Sequence, residues 1–266
     1  MKSAPAKPIA VITGAASGIG LALAHQLRAH YLLLLVDVNA TALQHQFNDW
    51  DDAKVYAIDL TNSAAVAAWL TSQLNELDGL DLLVNNAGIT HRSLATATQM
   101  DVIERVMAVD YFAPVQLSQG LLPLLQKRSG KIVNMGSMAG WMPVLGRAGY
   151  CAAKSALSQY FETLRAELAD TGVTLLMVYP SFIDTPIENH ALDGQGSIAQ
   201  HPRSMVGKMR STEWMAQRIV RAIRNNRQRL FPDRFTYFAS LFYRIAPSLY
   251  LRLMRRRLRS ELDHNH

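Results

Sequence analysis

Residues 9–37 read IAVITGAASGIGLALAHQLRAHYLLLLVD, and this segment sets the architecture of the whole chain. It opens with a short apolar run at residues 9–12, which predicts a buried strand that ends at Thr13. A glycine-rich turn follows, and then an apolar-periodic helix is predicted over about residues 21–30. The next run, residues 31–36, is continuously apolar, as expected of a strand that is covered on both faces. Strand, glycine turn, helix and strand in this order predict the first unit of an α/β fold.

The glycine-rich turn of residues 13–20 has the composition of a phosphate-binding loop. Such a turn lets the backbone approach a pyrophosphate at the helix N-terminus, where free N–H groups and the helix dipole favour an anion. The second strand ends at Asp37, which lies 17 residues beyond Gly20. A dinucleotide-binding fold uses an acidic side chain at this place to accept hydrogen bonds from the adenosine ribose. The segment therefore predicts a dinucleotide site.

Strands and helices continue to alternate along the chain. Helices are predicted over about residues 62–76, 99–127 and 150–170, the second with breaks or kinks at Pro114 and Pro123. The pattern predicts a doubly wound parallel sheet, a Rossmann fold, as a single domain over residues 1–233. Residues 234–266 are predicted to be a C-terminal helical extension of the same domain. Further strands are predicted at residues 55–58, 80–84, 132–135 and 173–179.

The segment 136–154, GSMAGWMPVLGRAGYCAAK, contains the most distinctive chemical groups. Tyr150 and Lys154 are four residues apart, so on a helix both side chains lie on one face. An ammonium beside a phenol favours the phenolate, which predicts that the pKa of Tyr150 falls from about 10 towards neutrality. Such a tyrosine can exchange a proton with a substrate oxygen, and Ser137, on a separate loop, can hydrogen-bond the same oxygen. Two solvated residues on a helix would show the same spacing.

Four motifs together make the chain resemble the short-chain dehydrogenase/reductase family over about residues 8–231. Residues 13–20, TGAASGIG, resemble the family's cofactor motif TGxxxGIG. Residues 85–88, NNAG, resemble its NNAG motif, and residues 180–185, PSFIDT, resemble its PGxxxT segment. The serine, tyrosine and lysine of residues 136–154 have the spacing of the family's catalytic residues.

The resemblance implies an NAD(P)-dependent oxidoreductase that transfers a hydride between the nicotinamide and the carbon of a secondary alcohol or ketone. In that reaction Ser137 would orient the substrate oxygen and Tyr150 would exchange its proton. Lys154 would lower the Tyr150 pKa and hold the nicotinamide ribose. The cofactor-binding residues that the resemblance implies are Thr13, Gly14, Ser17, Gly18, Ile19, Gly20, Asp37, Asp59, Leu60, Asn86, Ala87, Gly88, Tyr150, Lys154, Pro180, Ile183 and Thr185.

Two positions depart from the family pattern. Ser181 replaces the glycine that follows Pro180, which constrains the local backbone. Asp110 stands where the family has the asparagine of its catalytic tetrad, and it keeps the acceptor but loses the NH₂ donors. Asp110 is therefore either a tolerated near-isostere or a change in the proton relay, because a carboxylate near Lys154 shifts coupled pKa values. The second interpretation leaves an alternative function, a dinucleotide-binding regulatory protein with weak or no turnover.

Cofactor and substrate are predicted from a few side chains. Asp37 favours NAD(H), because its carboxylate would repel the 2′-phosphate of NADP(H), although a basic residue from elsewhere in the fold would still allow NADP(H).

Residues 138–149 and Phe182 provide apolar side chains, which predict a small apolar alcohol or ketone as substrate unless they are ordinary packing. Residues 186–211 have the composition of a flap over the substrate.

The charge of the chain is unevenly distributed. Residues 1–202 carry 12 Lys/Arg against 17 Asp/Glu, whereas residues 203–266 carry 15 against 4. From Arg234 onwards aromatic residues and leucines interleave with arginines, and Pro247 is expected to divide this tail into two helices. A basic amphipathic pair of helices either contacts an anionic membrane peripherally or packs on the domain or on another subunit.

Composition excludes several other classes of protein. A single cysteine fits a reducing compartment, and no apolar run suits a signal peptide or a membrane span, so a cytoplasmic protein is expected. The eight histidines lack metal-ligand spacing, and no metal site is predicted. Nothing resembles a nucleic-acid-binding module. A homodimer or homotetramer is expected.

Overall fold

The computed structural model describes residues 7–200, 209–232 and 234–257. Within these ranges the chain forms a single sheet in which all neighbouring strands are parallel, in the order β3-β2-β1-β4-β5-β6-β7. The doubly wound parallel sheet predicted from the sequence is confirmed. The strands are β1 (Ile9–Thr13), β2 (Leu32–Asp37), β3 (Ala53–Ala57), β4 (Leu82–Asn85), β5 (Lys131–Met135), β6 (Thr174–Val178) and β7 (Arg229–Leu230).

Helices cover both faces of the sheet and bury two apolar cores. The core on one face is closed by α1, α2 and α7, and the core on the other face by α3, α5 and α6. Continuously apolar strands such as β1 and β2 are buried because both of their faces are covered. The helices are α1 (Gly18–Leu27), α2 (Ala40–Phe47), α3 (Ser63–Glu76), α4 (Met100–Met107), α5 (Ala113–Arg128), α6 (Ala148–Glu167), α7 (Thr212–Arg224), α8 (Arg234–Ile245) and α9 (Pro247–Arg257).

Several element boundaries differ from the prediction. Helix α1 begins at Gly18 rather than at residue 21, so its first turn includes the last two glycines of the loop. Strand β3 begins two residues earlier than predicted and ends one residue earlier. Helix α2 was not predicted; it is short, and its main local signal is Asn39, whose side chain accepts from the Ala42 amide.

The predicted helix over residues 99–127 is interrupted before its prolines. A single π-helical turn, Ala108–Phe112, separates α4 from α5, and it carries Asp110 inward. Pro114 has no N–H to donate to the carbonyl of Asp110, so one α-helical hydrogen bond is missing beside the π turn. Pro123 lies inside α5 without ending it.

The tail packs against the domain through its inner face. Pro247 begins α9, which confirms that the tail divides there into two helices. The guanidinium of Arg244 lies 4.4 Å from the ring centroid of Trp141, and the Tyr250 hydroxyl donates to the Pro143 carbonyl at 3.3 Å. The tail therefore contacts the loop that follows Ser137. None of the described helices has the length and apolar character needed to cross a bilayer.

The segment after β6 is only partly described. Its first part contains a 3₁₀ turn, Pro186–Glu188. An isolated bridge joins Leu192 to His91 of the domain, and a second bridge joins Leu192 to Ile198 within the segment. Residues 201–208 of the predicted flap, and residues 258–266 of the predicted tail, lie outside the described residues.

Candidate active site

The principal cleft, of about 630 Å³, lies at the carboxyl ends of the strands. The chain order reverses between β1 and β4, and ligands of open α/β sheets bind at this switch point. The residues that follow β1, β4 and β5, namely Gly14, Asn86 and Gly136, all line the cleft. The sheet topology therefore places the predicted cofactor loop and the predicted catalytic segment in one cavity.

The glycine loop is held closely against the NNAG segment. Gly14 has φ +63°, and a Cβ there would lie 2.8 Å from the Ala87 Cα. A Cβ at Gly20 would collide with the Gly14 carbonyl oxygen. The Asn86 side chain donates to the carbonyls of Thr13 and Gly14 at 2.9 and 3.1 Å. Only glycine fits these two positions, and the backbone of the loop is left open to the cleft.

Thr13 and Gly20 have a supporting position behind the loop and do not line the cleft. Thr13 is buried, and its hydroxyl accepts from the amides of Asn86 and Ala87, both at 3.0 Å. The remaining predicted cofactor residues all line the cleft: Gly14, Ser17, Gly18, Ile19, Asp37, Asp59, Leu60, Asn86, Ala87, Gly88, Tyr150, Lys154, Pro180, Ile183 and Thr185.

The end of the cleft beside β2 is acidic. The Asp37 carboxylate accepts from the amides of Ala16 and Asn39, both at 3.0 Å, which fixes its orientation. Asp59 lies on the same wall and accepts from the amide and hydroxyl of Thr61. Among the described residues that line this end, none is cationic.

Ser137, Tyr150 and Lys154 meet on the other side of the cleft. Ser137 begins a 3₁₀ turn after β5, and its hydroxyl accepts from the Ala139 amide at 3.1 Å. Tyr150 and Lys154 lie one turn apart on α6, with the ammonium 5.8 Å from the phenol ring centroid. The ammonium also donates to the Met135 carbonyl at 2.9 Å. The strand end and the helix thus bring all three predicted groups together.

The predicted fall in the Tyr150 pKa is wrong. Burial raises the pKa of Tyr150 above its usual value of 10.0. Lys154 and a hydrogen bond from Ser137 lower this pKa, but the charge of Asp110 opposes them. The phenol therefore keeps its proton at neutral pH, as a general acid requires.

Asp110 forms an ion pair with Lys154 and lies just behind the cleft. Its side chain is fully buried; one carboxylate oxygen accepts from the Ile89 amide at 2.8 Å, and the other lies 3.3 Å from the lysine nitrogen. That second contact is an ion pair whose geometry falls short of a hydrogen bond. Burial raises the pKa of Asp110, while Lys154 lowers it. A nearby carboxylate therefore offsets part of the charge with which Lys154 acts on Tyr150.

Comparison with known proteins decides the family. The family model described as short chain dehydrogenase matches residues 8–196. The chain belongs to the short-chain dehydrogenase family. It is 30% identical to the dehydrogenase/reductase SDR family member 7B of Bos taurus over 271 residues, which covers 97% of this chain and 83% of the relative.

Solved structures of the short-chain dehydrogenases include similar proteins with either cofactor. A 4-hydroxyisoleucine dehydrogenase complexed with NADH is 29% identical, with a TM-score of 0.63, over 68% of this chain and 76% of that one. A metagenomic short-chain oxidoreductase in complex with NADP shares the fold, with a TM-score of 0.69 and 24% identity over 85% of this chain and 96% of that one. This short-chain dehydrogenase is thus a dinucleotide-dependent oxidoreductase.

His91, which the sequence analysis missed, caps the catalytic helix of this short-chain dehydrogenase. The residue before α6, Arg147, makes no side-chain cap, and the Gly149 amide instead donates to His91 Nε2 at 2.9 Å. Since an amide can only donate, Nε2 carries no proton, and Nδ1 donates to the Ser93 hydroxyl at 3.1 Å. The ring is fully buried, and burial together with Arg147 lowers its pKa to about 4. A neutral His91 therefore fixes the helix start that carries Tyr150.

A second unpredicted cluster joins the segment after β6 to the same helix start. Glu188 accepts from the guanidinium groups of Arg92 and Arg147, each at 2.8 Å. The two arginines are 96 and 41 residues away in the sequence, so no local motif contains the cluster. Arg147 and Glu188 both line the cleft, and the cluster holds the 3₁₀ turn that follows Thr185 in place.

Proposed function

We propose that this short-chain dehydrogenase reduces small apolar ketones, and oxidises the corresponding secondary alcohols, with NAD(H). The observation that carries the proposal is the meeting of Ser137, Tyr150 and Lys154 in the cleft that the glycine loop also lines. NAD(H), when bound, supplies or accepts the hydride. The protein supplies position, a proton and electrostatic stabilisation.

Proton transfer is assigned to Tyr150. In the reductive direction the phenol gives its proton to the carbonyl oxygen as the hydride reaches the carbonyl carbon, and the alcohol is formed. The pKa of Tyr150, raised by burial, keeps the phenol protonated for this step. Ser137 orients the oxygen, and the Lys154 ammonium stabilises the phenolate that remains until it recovers a proton from water.

The choice of NAD(H) rests on the acidic end of the cleft. The Asp37 carboxylate is held by two amides, and Asp59 adds a second negative charge on the same wall. A 2′-phosphate would meet both charges without a compensating cation from the described residues that line this end. Repulsion of this kind would make NADP(H) bind more weakly than NAD(H).

The apolar substrate is supported by the wall around Tyr150. Aliphatic and aromatic side chains dominate this wall, and two of its charged groups, Arg147 and Glu188, are paired with each other. An uncharged substrate with one oxygen suits such a lining. The apolar residues are Val109, Met142, Val144, Leu145, Phe182 and Ile187.

The test is a hydride-transfer assay with NADH and NADPH against a panel of hydroxysteroids, long-chain alcohols and ketones. Tyr150→Phe should lower turnover by about 10²–10⁴-fold and leave cofactor affinity unchanged. Tyr160→Phe is the matched control, because Tyr160 lies on the same helix but its hydroxyl contacts Gln119 outside the cleft. NADH binding without turnover of any compound would instead support the regulatory alternative, in which the Asp110–Lys154 pair has disabled the proton donor.

A further inference from the structure

A second cavity, of about 300 Å³, lies outside the active-site cleft at the first turn of α7. It is lined by three arginines and by apolar side chains that belong to α7, to the segment after β7 and to the start of α8. The lining residues are Arg210, Trp214, Arg218, Pro232, Arg234 and Phe235.

Two arginines of this cavity lie against the same indole ring. The guanidinium carbons of Arg210 and Arg218 lie 5.1 and 4.4 Å from the Trp214 ring centroid. In the described part of the chain, no carboxylate forms an ion pair with Arg210, Arg218 or Arg234. Two acidic residues are near these arginines in the sequence. Glu213 is exposed and accepts from the Thr212 hydroxyl, and Asp233 lies outside the described residues. Converging like charges repel one another, and an anion in the cavity would remove that cost.

An exposed apolar stripe begins at the same cavity and runs along α8. Phe235, Phe238, Phe242 and Ile245 are 59%, 56%, 36% and 83% exposed. They recur at helical spacing, so they share the face of α8 that points away from the domain. Apolar side chains on an outer face, next to arginines, are typical of a helix that lies in a membrane interface.

The positive charge of residues 234–257 indicates which kind of partner would cover the apolar stripe on α8. Residues 234–257 contain six arginines and no acidic residue. A second copy of the chain would bring an equally basic face against this one, and the two would repel each other. An anionic lipid surface offers the opposite charge together with an apolar layer.

We propose that the cavity of Arg210, Arg218 and Arg234 binds the headgroup phosphate of an anionic phospholipid, and that the stripe on α8 enters the lipid surface beside it. The three guanidinium groups would hold the phosphate oxygens through charge-assisted hydrogen bonds. The phenylalanines would replace water contacts with acyl-chain contacts. This surface is separate from the hydride-transfer site, so its failure would leave the proposed oxidoreductase function untouched.

The test measures sedimentation of the full-length protein with vesicles of phosphatidylcholine, with and without phosphatidylglycerol. Binding should require phosphatidylglycerol and weaken as salt rises. Arg210→Gln and Arg218→Gln should each weaken it about fivefold, because one basic residue contributes about 1 kcal/mol near an anionic surface. Arg221→Gln, an exposed arginine on α7 that does not line the cavity, should have a smaller effect than either. Phe238→Ser should reduce binding without changing the charge.

Three results would overturn the proposal. Absence of binding to phosphatidylglycerol vesicles at low salt would show that this face does not bind an anionic lipid surface. Binding of inorganic phosphate that depends on Arg218, without vesicle binding, would show that the cavity serves a free anion. A dimer in solution that Phe238→Ser dissociates would show that a second copy covers the stripe. Circular dichroism of every variant confirms that loss of binding is not loss of folding.

Discussion

Acidification should lower the free energy of unfolding, because the His91 ring is neutral in the folded chain and takes up a proton when the chain unfolds. The folded pKa is about 4, whereas the ordinary value is 6.5. Between these values the unfolded chain binds a proton that the folded chain does not, so stability falls as the pH falls from about 6.5 to about 4. The difference between the two pKa values corresponds to about 3 kcal/mol in the free energy of unfolding. Solvent does not screen this contribution, because the His91 ring is 0% exposed. Below about pH 4 both states carry the proton, and the loss stops.

Urea unfolding of the wild type and of His91→Gln between about pH 7 and pH 4 isolates this contribution. Glutamine retains an acceptor for the Gly149 amide and a donor for the Ser93 hydroxyl, but it does not titrate. All other groups contribute equally to both proteins, so the wild type should lose about 3 kcal/mol more than the variant. Parallel stability curves would refute the assignment of a neutral, buried His91.

The same residue should affect catalysis through the helix it caps. His91→Leu leaves the Gly149 amide without its acceptor and should cost about 1 kcal/mol of stability. Because Tyr150 follows that amide by one residue, kcat for hydride transfer should fall, while NAD(H) affinity is retained. His91→Gln should recover kcat. If His91→Leu lowered stability but left kcat unchanged, the cap would serve the fold alone.

Three further substitutions test the site. Asp37→Ala should weaken NAD(H) and strengthen NADP(H), as measured by fluorescence titration, and tighter NADP(H) binding by the wild type would contradict the choice of cofactor. Asp110→Asn removes a charge that raises the Tyr150 pKa, so the pH profile of alcohol oxidation should move to lower pH; an unmoved profile would show that the two groups are not coupled. Glu188→Gln leaves two arginines without their carboxylate and should lower the free energy of unfolding in urea by about 2 kcal/mol or more, whereas an unchanged midpoint would mean that the ion pairs contribute nothing.

Six of the seven strands in the described residues were predictable, because most of them are continuous apolar runs that end in polar residues. The sequence did not predict elements whose local pattern is weak or whose stabilising contacts come from distant residues. Helix α2 is only eight residues long with one clear capping residue, and α7 and β7 follow a stretch without periodicity. The π turn at Asp110 lies beside a missing proline N–H and buries a carboxylate, and the periodicity of apolar residues reports neither feature.

The members of the site were predictable from motifs, but their electrostatics were not. The spacing of Tyr150 and Lys154 indicated a lowered tyrosine pKa, yet burial and the charge of Asp110 reverse the shift. Both effects depend on three-dimensional surroundings that the spacing does not contain. His91 and Glu188 were missed for the same reason, because their partners come from distant parts of the chain.

The contact between the tail and Trp141 connects the end of the chain to the wall of the cleft. The indole is held between Tyr179, Phe231 and Arg244, at 5.1, 5.1 and 4.4 Å, and it precedes Met142 on the wall of the cleft. Exchange of the tail between relatives would therefore reshape the wall while the proton donor and the cofactor loop stay fixed. Sequence changes in a helix that does not line the cleft would in this way alter the shape of the cleft.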